Sequence, residues 1–173
     1  SIVLVILGLL VGGILSGQSL IRAAELRSVV TDFNKYIAAT HTFRDKYFAL
    51  PGDMTNAQTI WGVAHATPAT CVTTASSDSK TCDGNGDGMV IPSTGSNESF
   101  RFWQHLSNAG LIEGRYDGIT HGATTFSATT DNTPKGKTTN SLWFVWNWGT
   151  ASGLSYLFDG VYSNSFLFGS IRA

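Results

Sequence analysis

SIVLVILGLLVGGILSGQSLIRAAELRSVVTDFNKYIAATHTFRDKY, residues 1–47, joins an uncharged apolar run to an amphipathic one without a break. From Ser1 to Gly17 it carries no charge and is almost wholly apolar, close to the ~20 residues needed to cross a bilayer core. From Leu20 onward the pattern turns amphipathic. Leu26, Val30, Phe33, Ile37 and Tyr47 recur at helical spacing, with Arg27, Asp32, Lys35 and Asp45 between them. No proline interrupts either part before Pro51, so the spacing predicts one helix over 1–47. At ~1.5 Å per residue its length is about 70 Å, more than a head built from the rest of the chain can wrap. Half of the rod must project.

A projecting apolar helix wants lipid or other copies of itself. Gly8/Gly12 and Gly13/Gly17 form two G-x-x-x-G spacings, which let helices approach closely in lipid. The residues expected to cross the membrane or build a filament core are Ile2, Val3, Leu4, Val5, Ile6, Leu7, Gly8, Leu9, Leu10, Val11, Gly12, Gly13, Ile14, Leu15, Gly17, Leu20 and Ile21. Arg22 and Glu25 mark the exit from the apolar zone and, in a bundle of copies, are placed to pair with a neighbour's helix. A plain single-pass anchor is the simpler alternative. A signal peptide fits less well, because no basic region leads the apolar run and the helix continues past a small-residue cleavage point.

The net charge of −1 and pI near 6.4 give no basic field to attract nucleic acid. Charged residues are 13% and aromatic residues 12% of the chain, a composition suited to a surface covered by neighbours. Cys71 and Cys82 stand eleven positions apart in a Thr/Ser-rich loop. With no C-x-x-C pair or suitable histidine nearby, they read as one disulfide, as expected outside the cytosol and contributing ~2–3 kcal/mol in the chain-entropy model.

Beyond the rod, Leu50-Pro51-Gly52-Asp53-Met54 must turn the chain. Thr55 is placed to cap a short helix, Asn56–Trp61, whose tryptophan folds back on the rod. A loop-rich stretch from Gly62 to Gly95 contains Asp83-Gly84-Asn85-Gly86-Asp87-Gly88, the first half of a D-x-[DN]-x-[DN]-G calcium loop. The expected Ca2+ ligands are the side chains of Asp83, Asn85 and Asp87 and the carbonyl of Met89. The twelfth position is Thr94 in place of the usual glutamate, so Glu98 is the candidate for the last ligand. A plain Asx/Gly turn is the alternative; a phosphate loop is disfavoured by the two aspartates.

Asn97 is placed to cap a helix over Glu98–Ala109, with Gly110 as its stop. Phe100, Trp103 and Leu106 share its apolar face. Thr120–Ser141 reads as an exposed connection able to carry O-linked sugars; the Asn97-Glu98-Ser99 sequon overlaps the cap. Leu142–Trp148, Leu154–Phe158 and Ser165–Phe168 read as antiparallel strands. His41, His65, His105 and His121 lack metal-ligand spacing, and no nucleophile elbow, H-E-x-x-H or Walker loop occurs. No enzyme activity is expected.

The order of these parts resembles bacterial type IV pilin-like proteins and pseudopilins with a prepilin-type N-terminal segment. The likeness rests on SIVLVILGLLVGG, RAAELRSVV, TFRDKYFALPGDM, DGNGDG and FRFWQHLSNAGLIEG, between Ser1 and Gly114. It implies an α+β type IV pilin fold, with residues 1–25 as anchor or filament core and 26–173 as a head on a small antiparallel sheet. It also implies a subunit made in the inner membrane, trimmed by a prepilin peptidase and polymerised by an ATP-driven machine into an extracellular or periplasm-spanning filament. The phenylalanine and glutamate that family members carry just before the SIVLV-like run fall outside this sequence. A membrane-anchored module binding a ligand such as a glycan is the second expectation.

Overall fold

The computed structural model describes residues 2–76, 78–92, 97–121, 127–151 and 160–169. Helix α1, Ile2–Tyr47, is one unbroken helix of 46 residues. Its twelve large apolar side chains between Ile2 and Ile21 with a described position are all 52–76% exposed. The head packs on the other half alone, where Tyr36, Ala39 and Phe43 are buried and Val29 and Tyr47 lie against the same core.

The buried face is therefore not the stripe that the spacing of Leu26, Val30, Phe33 and Ile37 suggests. Leu26 and Val30 are exposed, and Phe33 is only partly covered. Aromatic packing decides the orientation: Tyr36 lies 5.0 Å from Trp103 and 5.4 Å from Trp143, ring centre to ring centre, and edge-to-face ring pairs add to simple burial.

α1 ends at Phe48, whose left-handed backbone (φ 54°) aims a 92% exposed ring outward while its N–H donates to the Arg44 carbonyl. Pro51 and Gly52 then reverse the chain. A Cβ on Gly52 would sit 2.3 Å from the Glu98 carbonyl oxygen, and φ is +85°, so only glycine lets this turn lie against the next long helix.

Helix α2, Ala57–Trp61, returns Trp61 to α1, 6.2 Å from Phe43 and 5.3 Å from Tyr47. Its cap is not Thr55. The N-cap is Asn56, which makes no side-chain cap bond, and the Gln58 N–H donates instead to Asp83 Oδ1 at 2.8 Å. A carboxylate from a distant loop thus satisfies a first-turn donor. Helix α3, Pro68–Cys71, leads into the Cys71–Cys82 disulfide, both of whose cysteines are buried.

Helix α4, Glu98–Asn108, is buried at every position from Glu98 to Leu106. Asn97 precedes it in a left-handed conformation without capping it; its Nδ2 donates to the Val72 carbonyl. At ~100° per residue, Phe100, Phe102, Trp103 and Leu106 occupy one half of the helix and Glu98, Arg101, Gln104 and His105 the other. The apolar half joins the ring core.

Strands β1 (Leu142–Trp146) and β4 (Ser165–Gly169) pair antiparallel, with Trp143 opposite Phe168 and Val145 opposite Phe166. Strands β2 (Gly149–Ala151) and β3 (Gly160–Tyr162) pair likewise. The run expected to continue through Trp148 breaks at Asn147, because its N–H donates to the Val90 carbonyl. The expected strand Leu154–Phe158 lies outside the described residues, as do Ser1 and residues 170–173. The face of β1 turned from the rod is covered too: Phe144 meets Phe100 of α4 at 5.5 Å. The whole is α+β, a 46-residue helix with small antiparallel sheets.

Candidate functional site

The polar half of α4 holds the loops of the head. Arg101 Nη2 donates to the carbonyls of Cys71 (2.9 Å) and Thr74 (3.1 Å), and Nη1 to Gln104 Oε1. Thr81 donates its hydroxyl to the same Gln104 oxygen at 2.6 Å, and Gln104 Nε2 donates to the Lys80 and Asp117 carbonyls. Burial lowers the Arg101 pKa to about 10, with Asp117 acting against it. The guanidinium thus anchors the Cys71 flank of the disulfide through carbonyl oxygens, and Gln104 holds the Cys82 flank at Lys80 and Thr81.

His105 accepts the Gly52 N–H on Nδ1 at 3.0 Å, which places its own proton on Nε2, 2.9 Å from the Thr81 hydroxyl oxygen. Both ring nitrogens are occupied in the neutral form. Burial and then the Arg101 charge push its pKa down to about 3. The histidine is a structural link between the Gly52 turn and the loop before Cys82, with no metal-ligand role.

That turn delivers Asp53. Its Oδ1 accepts the N–H groups of Gly86 (2.6 Å) and Asp87 (3.1 Å), and Oδ2 that of Gly88 (2.9 Å). Gly84 passes so close that a Cβ would fall 2.4 Å from the Asp53 carbonyl carbon. Glu98, at the start of α4, accepts from the Asn85 and Ile91 N–H groups at 3.3 Å each. The DGNGDG loop is threaded between two buried carboxylates, and Asn164 fixes its exit by accepting the Val90 N–H and donating to the Gly88 carbonyl.

Asp53, Asp87 and Glu98 bring oxygen atoms within 4.8 Å of one another, a set that could hold a metal ion. Asp53 and Glu98 are buried and Asp87 is exposed. Burial raises the pKa of both buried acids, that of Glu98 to about 7, and their negative neighbours add to the effect. Backbone N–H groups oppose it, and among the described residues no cation forms an ion pair with them. A cation held between them would supply the missing opposite charge. Beside this cluster an open depression lined by Arg44, Phe48, Thr55, Gly86 and Gly88 exposes one flank of Asp53.

Of the expected ligands, Asp87 and Glu98 meet in this cluster. Asp83 is engaged at α2, the Asn85 amide donates to Asp87 Oδ2 at 2.9 Å, and Met89, expected to ligate through its carbonyl, donates its N–H to Asp87 Oδ1 at 2.8 Å. Thr94 lies outside the described residues. Asp53 is the member that sequence spacing did not reveal: it stands thirty positions before Asp83 and joins the loop only through the turn at Gly52. The disulfide joins Cys71 and Cys82 as expected.

Ile2–Tyr47 is also the one helix among the described residues that is long and apolar enough to span a membrane, and none of its most apolar window is buried in the chain. No known protein family, curated protein or solved structure matches the chain.

The buried acid predicts a pH dependence. Between about 4.5 and about 7 the folded state keeps a proton on Glu98 that the unfolded chain has lost, so in chelator this residue makes stability fall as pH rises. Glu98→Gln removes that contribution. The variant is expected to gain stability relative to the unaltered chain as pH rises through this window, measured by denaturant unfolding in chelator at pH 4.5 and 7.5; a constant difference between the two proteins contradicts the assignment.

Proposed function

We propose that the chain is a filament subunit of the type IV pilus or pseudopilus kind, held in a membrane by the apolar half of α1 before assembly and by contacts among copies afterwards. One observation carries this reading: the rod is a single helix whose Ile2–Ile21 half touches nothing in its own head. At ~1.5–3 kcal/mol per large apolar side chain fully removed from water, leaving twelve of them 52–76% exposed costs on the order of 10–20 kcal/mol, comparable to the ~5–15 kcal/mol that stabilises a typical domain. Lipid relieves the cost while the subunit is in the bilayer, and neighbouring rods relieve it outside. Residues 1–25 then form the anchor and core, 26–173 form the filament surface, and no catalytic step is involved.

The unbroken helix favours this over an anchored binding module, because an anchor needs no rigid continuity with the head's core. Val11→Lys places a charge in the apolar half at ~2.5–3.5 kcal/mol near a bilayer centre. It is expected to abolish fibres in electron micrographs of producing cells while the detergent-solubilised chain keeps its disulfide and protease resistance. Unchanged fibres contradict the proposal.

We further propose Ca2+ as the cation for Asp53, Asp87 and Glu98. Carboxylate oxygens are hard ligands, and the loop carbonyls close by suit the higher coordination number of calcium over that of magnesium. At saturating Ca2+ the melting temperature is expected to rise by on the order of 5–10 °C over that in chelator, and Asp87→Asn to remove most of the rise. Equal melting in both conditions removes calcium from the account.

A further inference from the structure

Asn85-Gly86 is the one place in the chain where an asparagine precedes a glycine. Asparagine is chemically labile, and most so in this context, because the next backbone nitrogen can attack its side-chain amide and glycine has no Cβ to block the approach. Gly86 N bonds to Asn85 Cγ, the Cγ–Nδ2 bond breaks, and the side-chain nitrogen leaves as ammonia, carrying the proton that Gly86 gives up. Water then opens the five-membered ring, at Cγ to give an aspartate or at the main-chain carbonyl to give an isoaspartyl link. Both residues are exposed, so water reaches the site.

The fold holds this reaction back at the attacking atom. The Gly86 N–H donates to Asp53 Oδ1 at 2.6 Å and to the Asp53 carbonyl oxygen at 3.1 Å. Attack requires that proton to leave, and a nitrogen that loses it beside the carboxylate sets a second negative charge against the first. The same carboxylate takes the Asp87 and Gly88 N–H groups, so the nitrogen cannot turn away alone; the loop must open first. The electrophile is fixed as well, with Asn85 Oδ1 accepting the Asp87 N–H and Nδ2 donating to Asp87 Oδ2, at 2.9 Å each.

We infer that Asn85 is a self-modification site kept latent by Asp53, and that its conversion locks the acidic loop open. An aspartate at position 85 has no donor for Asp87 Oδ2, and like charges replace the hydrogen bond. An isoaspartyl link lengthens the main chain between positions 85 and 86, where Gly86 already passes so near Thr55 that a Cβ would fall 2.6 Å from Thr55 Cγ2. Neither product remakes the closed loop, and the departure of ammonia makes the change one-way. The inference depends on neither the filament nor the calcium reading.

The test incubates the full-length chain, disulfide intact, in chelator at neutral pH and follows the amide-to-acid mass gain at position 85 by peptide mass spectrometry. A synthetic segment of residues 83–91 in the same buffer supplies the unprotected rate. The folded chain is expected to convert at least about tenfold more slowly than the segment, and Asp53→Asn to recover most of that difference. Glu98→Gln, which removes the other buried carboxylate without touching the Gly86 N–H, is expected to stay within about twofold of the unaltered chain. Equal rates for chain and segment overturn the protection, and equal rates for the two variants overturn its assignment to Asp53. Should Asp53→Asn lose the protease resistance of the head, the unaltered chain decides: hydrogen exchange at Gly86 N–H and conversion at position 85 are expected to be slowed by the same factor, and unequal factors overturn the assignment. Asn85→Asp is expected to melt below the unaltered chain in chelator; equal or higher melting overturns the locking.

Discussion

A helix of 46 residues meets a head that covers only its second half, and this mismatch governs how the molecule can be accommodated. Among the described residues the apolar half of α1 is covered by nothing in its own chain, so in water the folded monomer leaves a large apolar surface bare. The head packs around one flank of the other half of that helix, which fixes the rod relative to the head.

The rigidity comes from α4. Its apolar half closes the aromatic core around Tyr36, Trp103, Trp143 and Phe166, while its polar half ties down loops that have little apolar surface of their own. Arg101 holds the disulfide loop, His105 the Gly52 turn and Glu98 the acidic loop. Buried polar groups left unpaired are costly, so the loops are held in one arrangement by the penalty for leaving it. The acidic cluster follows from the same design: two carboxylates brought inward to accept backbone N–H groups gather acidic oxygens into a set that could hold a cation.

Much of this was legible in the sequence. Continuous apolarity and the absence of proline revealed the rod, the cysteine pair revealed the disulfide, and ESFRFWQHLSN revealed α4. What escaped the reading was tertiary. Asp83 matched a ligand position by local spacing, yet its carboxylate caps α2, while Asp53 joined the acidic cluster through a turn that only the packed fold creates. The caps expected from Thr55 and Asn97 are not formed: the Asn97 amide donates to the distant Val72 carbonyl, and at α2 the first-turn Gln58 N–H goes to Asp83. Only part of the α1 stripe that periodicity suggests is covered: Tyr47 lies against the core and Phe33 edges it, while Leu26 and Val30 stay exposed and Tyr36, Ala39 and Phe43 form the buried face.

On the proposed reading, other copies complete the exposed half of α1, and electron microscopy of material sheared from cells producing the unaltered full-length chain tests this. Regular fibres containing this chain, with a repeat that places parallel rods side by side, are the expected result. A chain found solely as a membrane-held monomer, with no polymer recovered from any fraction, contradicts the account.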